Sequence, residues 1–336
     1  MERGRQALGC ALGCAGVGPV APPREIADNP PVRARPLQLL VLLSGILAVS
    51  TASIFIRCAQ PAASSLTIAA GRLMFATLAL APLALGRHRA ALARLTAREL
   101  RLAALAGLFL AAHFALWIAS LERTTVASSV VLVTTTPLWV GLLAPVVLRE
   151  PLTRSLALGI ALALAGGVIV GLGVAGGTHA AAGPAGRALL GDLMALSGAW
   201  MMAGYLMVGR RLRAGLALVP YIFVVYGMAA VLLTVAMAAT GRSLFGLAPV
   251  TYLWLALLAL VPQLLGHSSF NWALRYLPAS FVAIALLGEP VGSSALAFGL
   301  LHEVPTPLEL GGAVLILTGI AVAALSAPPP SADPVT

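Results

Sequence analysis

The chain has 336 residues, 60% of them hydrophobic and only 10% charged, with a formal net charge of +10. Soluble domains carry about 25% charged residues, so this chain cannot cover itself with polar surface and belongs in a membrane. Its basic residues are all arginines set in short gaps between apolar runs, a topology signal that excludes a nucleic-acid footprint.

Residues 1–36, rich in Arg, Gly and Pro, read as a disordered cytoplasmic tail, and 327–336 as a second one. Between them lie ten apolar segments, at roughly 37–57, 65–86, 100–121, 126–148, 155–175, 189–209, 218–240, 251–273, 279–301 and 308–326. Each is near spanning length and bounded by Arg, Pro or Gly, so the fold class is an all-α integral membrane protein of ten transmembrane helices. Cys10, Cys14 and Cys58 form neither a disulfide framework nor a metal pattern, and no cofactor or metal is expected.

The arginines orient the chain. Alternate gaps, counted from the N-terminal tail, hold sixteen of the 21, whereas the opposite side holds only Arg57, Arg123, Arg187 and Arg242. Arg72 lies inside the second segment. The positive-inside bias predicts a multi-pass protein of the plasma or inner membrane with both termini in the cytoplasm.

Shifting the chain by 153 positions lays its first five segments over its last five without a gap. Gly45 meets Gly198, Arg57 meets Arg210, Leu121 meets Leu274, Pro137 meets Pro290 and Glu150 meets Glu303; Gly159 and Gly166 meet Gly312 and Gly319. Five helices per unit is an odd number, so the second unit enters the membrane from the opposite side. Two inverted five-helix repeats follow, at 37–175 and 189–326, joined by a linker at 176–188. Inverted repeats are a signature of transporters with a midplane site between the halves.

The paired endings TTTPLWVGLLAPVVLREPLT (134–153) and LGEPVGSSALAFGLLHEVPT (287–306) resemble the EamA-type family of the drug/metabolite transporter superfamily. The glycines of LGIALALAGGVIVGLG and LGGAVLILTGIAVA and the arginine of AAGRLMFATLALAPL carry the same resemblance, which spans about 37–326. It implies a ten-helix transporter that commonly exports amino acids or related small metabolites, and it specifies no substrate. One departure stands out: where the family has Leu-Gly-Glu, this chain has Leu148-Arg149-Glu150 and Leu301-His302-Glu303, with no expected consequence for the fold.

Polar residues at membrane depth are the candidate pathway, because a hydrocarbon core cannot receive them unless protein or water does. Glu289 stands near the middle of the ninth segment, just before Pro290; its repeat-related image is Thr136, before Pro137. These prolines are expected to interrupt both helices and to free the carbonyls of Leu286 and Val133. Arg72 is too deep to snorkel comfortably: it either pairs with Glu289 or holds a zwitterion together with it, or it is a structural arginine near the outer interface. Gln263, His267 and Asn271, spaced i, i+4, i+8, form a polar stripe on one helical face, and His113 and Trp117 flank the same cavity from the third helix. Trp139, Trp200, Tyr205 and Tyr226 are further aromatic candidates. Glu150 and Glu303, at helix ends on opposite faces, read as caps or as candidate gates, and Asp192 as a residue opening the sixth helix.

The expected function is therefore a permease, not an enzyme, that exports a small metabolite such as an amino acid by alternating access, with Glu289 and the histidines available for proton coupling. Its partners are the metabolite and the bilayer, with no nucleic acid. A non-transporting membrane receptor or assembly protein is the first alternative, and a membrane-embedded lipid-modifying enzyme the second.

Overall fold

The computed structural model describes residues 36–124, 129, 132–176, 185–301 and 306–325, and every regular element among them is helical. Among the described residues, six helices are long and apolar enough to cross a membrane: Pro36–Ala59, Ser65–Arg87, Ala97–Ser120, Leu189–Arg213, Leu218–Ala239 and Pro249–Ala273. Four shorter apolar helices, Thr136–Val147, Arg154–Ile169, Ala279–Ser293 and Leu310–Ala323, stand where the fourth, fifth, ninth and tenth segments are predicted.

In chain order the elements are α1 (Pro36–Ser50), α2 (Ala52–Ala59), α3 (Ser65–Arg87), α4 (Arg89–Ala93), α5 (Ala97–Ser120), α6 (Thr136–Val147), α7 (Arg154–Gly176), α8 (Ala185–Arg213) and α9 (Leu218–Ala239). The eighth segment is compound: α10 (Pro249–Leu258), a π-helix (Ala259–His267) and α11 (Ser268–Ala273). Then come α12 (Ala279–Leu286), α13 (Gly288–Leu301) and α14 (Pro307–Leu325). Their ends follow local chemistry. Ser64 caps α3 by accepting from Thr67 N, and Thr96 and Glu99 form a reciprocal capping box at α5. Because α8 begins at Ala185, Asp192 lies two turns inside it and does not open the helix; its Oδ1 accepts from Thr124 Oγ1 at 2.6 Å.

The packing obeys the 153-residue repeat. α5 packs on α8 as α1 packs on the π-helix, and α6 packs on α8 as α1 packs on α13; α3 pairs with α9, and α7 with α14. Glycine permits the closest of these approaches. A Cβ on Gly166 would stand 2.6 Å from the Gly312 carbonyl oxygen, and one on Gly159 would stand 2.8 Å from that of Gly319. The two contacts are images of each other under the repeat, so α7 and α14 touch backbone to backbone along a pseudo-twofold seam. Those glycines thus serve packing within one protomer.

Buried alanine, leucine and isoleucine fill the spaces between helices, while Leu40, Leu78, Val146, Val231 and Val314 face outward. In water this outer shell would be a large exposed apolar patch. In lipid it is the expected surface, since an α-helix pairs its interior backbone groups within itself.

Candidate functional site

Arg72, on α3, is with Arg213 one of the two largest fully buried side chains, each at 1% exposure. Its Nε donates to Gln263 Oε1 at 2.8 Å, and its guanidinium carbon lies 4.2 Å from the centroid of the Phe114 ring on α5. Nη1 and Nη2 have no hydrogen-bond partner among the described residues. A desolvated guanidinium gains from one charge-assisted bond and one cation–π face, but two unused donors are costly at this depth.

Gln263 reaches Arg72 from the π-helix. Pro262 inside that element has no N–H for the i→i−4 ladder, and the chain answers by widening its turns. The predicted stripe is therefore only partly α-helical: Gln263 and His267 lie on π turns and Asn271 on α11, and all three are buried. His267 packs edge-on against Phe114, with centroids 5.3 Å apart, and at 90° to Phe270. His113 bonds the Gly198 carbonyl through Nδ1 at 3.0 Å and stacks on Trp117 at 5.9 Å. Gly198 on α8 has no side chain to keep α5 away. Trp117 Nε1 and His267 Nδ1 join the two Arg72 nitrogens as buried polar atoms without a partner among the described residues.

One turn beyond, Asn271 Nδ2 donates to the hydroxyls of Tyr205 (2.5 Å) and Tyr226 (3.2 Å), and Tyr226 also bonds Ser268 at 3.2 Å. Arg213 Nε donates to the Asn271 carbonyl at 2.9 Å, so a polar column continues from the Arg72 region to the end of α8. Trp139 and Trp200 pair edge to face at 5.1 Å, away from this column, with Trp200 exposed. Phe114, Ser268 and Arg213 are not singled out by the sequence; adjacency to His113, His267 and Arg210 was the available signal.

Both proline-bearing helices are interrupted. Leu287 separates α12 from α13, with Glu289 and Pro290 in the first turn of α13, while α6 starts at Thr136 with Pro137 in its first turn. A first-turn proline needs no intrahelical donor, so each break falls where proline is tolerated. Thr136 Oγ1 donates to the Val133 carbonyl at 2.9 Å, so this freed acceptor is satisfied locally. Glu289, partly buried, stands at the image of Thr136 and within electrostatic reach of Arg72, without a direct ion pair between them. Its backbone carbonyl accepts from Ser50 Oγ at 3.2 Å, and Ser293 Oγ donates to the Ser50 carbonyl at 3.0 Å, fixing α13 against α1.

Glu150 lies at the molecular end where α6, α8 and α11 finish and α12 starts. Its Oε1 accepts from Arg210 Nε at 2.6 Å, and its Oε2 accepts from Ala279 N, at the start of α12, at 3.0 Å. It caps a helix, though one in the other half of the molecule. Glu303 lies outside the described residues.

The geometry is that of a multi-helix membrane protein built from two repeats, with polar groups converging between them. A model of the EamA-like transporter family matches residues 36–172 and 189–325, and the chain belongs to that family. The family's members are membrane transporters, so the inverted repeat belongs to a permease rather than to an enzyme. A comparison with functionally described proteins gives no match. One solved crystal structure aligns with a TM-score of 0.71 at 18% identity, covering 87% of this chain and 99% of that one, and so shares the fold.

Proposed function

We propose that the chain is a secondary transporter of a small metabolite bearing an anionic or zwitterionic group, held near the midplane between its two halves. The observation that carries this reading is Arg72, buried with Nη1 and Nη2 unpaired among the described residues. A planar guanidinium with two free donors suits the two oxygens of a carboxylate or a related oxyanion. Trp117 Nε1 adds a donor to the same region, and Glu289 supplies a carboxylate for a cationic group or a proton. Amino acids fit this pairing of charges, and export is the direction that the family resemblance favours.

In this reading the ten segments all cross the membrane, both termini are cytoplasmic, and the repeats at 37–175 and 189–326 rock about the site in alternating access. The test is export from cells overproducing the protein, scored as resistance to toxic amino-acid analogues and as extracellular metabolite, with Arg72→Ala and Glu289→Gln beside the wild type. Loss in both variants, with normal membrane levels, is expected. Normal export by both would remove these residues from the mechanism and leave a non-transporting receptor or assembly role as the better account.

A further inference from the structure

The end of the molecule that carries Glu150 is held by a network that spans both repeats. At the end of α6, Arg149 takes a left-handed backbone (φ 57°), and Glu150 N reaches back to the Ala144 carbonyl at 3.3 Å. This turn aims the Glu150 side chain across the seam at Arg210 on α8 and at the first N–H of α12. Arg210 in turn donates from Nη1 to the carbonyls of Leu274 (2.8 Å) and Arg275 (3.3 Å), where α11 ends. One carboxylate thus joins the interrupted helix of the first half to three helix ends of the second. With side-chain exposures of 17% each, Glu150 and Arg210 are shielded enough for their attraction to matter.

Arg57 is the image of Arg210 and is exposed, while the images of Glu150 and Ala279, Glu303 and Val126, lie outside the described residues, so the bridge is described at one face alone.

We propose that Glu150 is a latch: its bridge from Arg210 to the start of α12 holds this face shut, and the transport cycle must break it. The inference rests on the alternating-access reading above, but its readout is conformational and needs no substrate. The reporter is Thr136→Cys, in a background where Cys10, Cys14 and Cys58 are serine, labelled with a membrane-impermeant maleimide applied to each side of sealed vesicles. Glu150→Gln removes the charge and leaves an amide oxygen to cap α12; Arg210→Gln removes the partner. Glu99→Gln, in the exposed capping box of α5, is the control for a lost carboxylate.

Each latch variant is expected to raise labelling from the Glu150 face about tenfold, the population shift that follows from losing one charge-assisted bond, with the control unchanged. Labelling within about twofold of the parent in both variants would overturn the latch, as would a rise only from the opposite face. Loss of both variants from the membrane would make the bridge a folding element and overturn the proposal too. Failure of the Arg72 and Glu289 export test, by contrast, would leave this labelling pattern untouched.

Discussion

Arg72 Nε and Gln263 Oε1 lie 2.8 Å apart across 191 residues of chain, linking the second helix of one repeat to the π-helix of the other. Removing one member strands a buried polar group, whereas removing both leaves an apolar contact. Gln263→Leu should therefore destabilise the protein by about 2 kcal/mol, the worth of a hydrogen bond to a charged group. The double variant Arg72→Met/Gln263→Leu should regain most of that stability while losing transport. Thermal unfolding in detergent, run beside an export assay, checks both halves. A double variant less stable than Gln263→Leu alone would show that Arg72 is held by something other than this bond.

The seam between α7 and α14 allows a sharper steric test, because two adjacent glycines face different surroundings. A Cβ on Gly166 would meet the Gly312 oxygen at 2.6 Å and Ile316 N at 2.8 Å, both backbone atoms that cannot swing aside. Among the described residues, a Cβ on Gly167 would meet only Thr134 Oγ1, at 3.8 Å. Gly166→Ala should cost about 1–3 kcal/mol through overpacking, and Gly167→Ala close to nothing. Equal melting temperatures for the two variants would contradict the backbone-to-backbone seam.

The repeat was legible in the sequence because the features that recur are those that the backbone needs. Gly45 and Gly198 recur because each admits a neighbouring helix, near Gly266 and His113 respectively, and those two positions are themselves repeat-related. Pro137 and Pro290 recur because each starts a helix after a break. Partnerships were not legible. Arg72 was expected beside Glu289, but its hydrogen bond goes to Gln263, and no local pattern states which of two distant acceptors will face a buried guanidinium. The π-helix was also hidden, since i, i+4 spacing reads the same whether the turn is α or slightly wider. Arg210 was visible only as a repeat match to Arg57, and its carboxylate partner emerged once α6 and α8 were placed together.

Thr136 closes the carbonyl that Pro137 frees in the first repeat. Its hydroxyl donates to the Val133 carbonyl, the acceptor freed by Pro137. Thr136→Val keeps the shape and removes the donor, leaving a part-buried carbonyl unpaired at a cost of about 1 kcal/mol. Thr136→Ser keeps the bond and should melt within a degree or two of the wild type. A Val variant as stable as the Ser variant would mean that the carbonyl finds another donor.

The departure at Leu148-Arg149-Glu150 turns out to have a backbone consequence. Arg149 sits at φ 57°, a region that glycine enters freely and that costs an L-residue about 1 kcal/mol, and its side chain is exposed. Arg149→Gly should therefore raise stability by about 1 kcal/mol, and Arg149→Val should lower it, because a β-branched side chain fits this conformation worst. If the turn also aims the Glu150 carboxylate, the Gly variant should hold the latch at least as firmly, and maleimide labelling of Thr136→Cys from the Glu150 face should not rise. A Gly variant that melts lower than the wild type would show that the Arg149 side chain contributes more than its backbone strain costs.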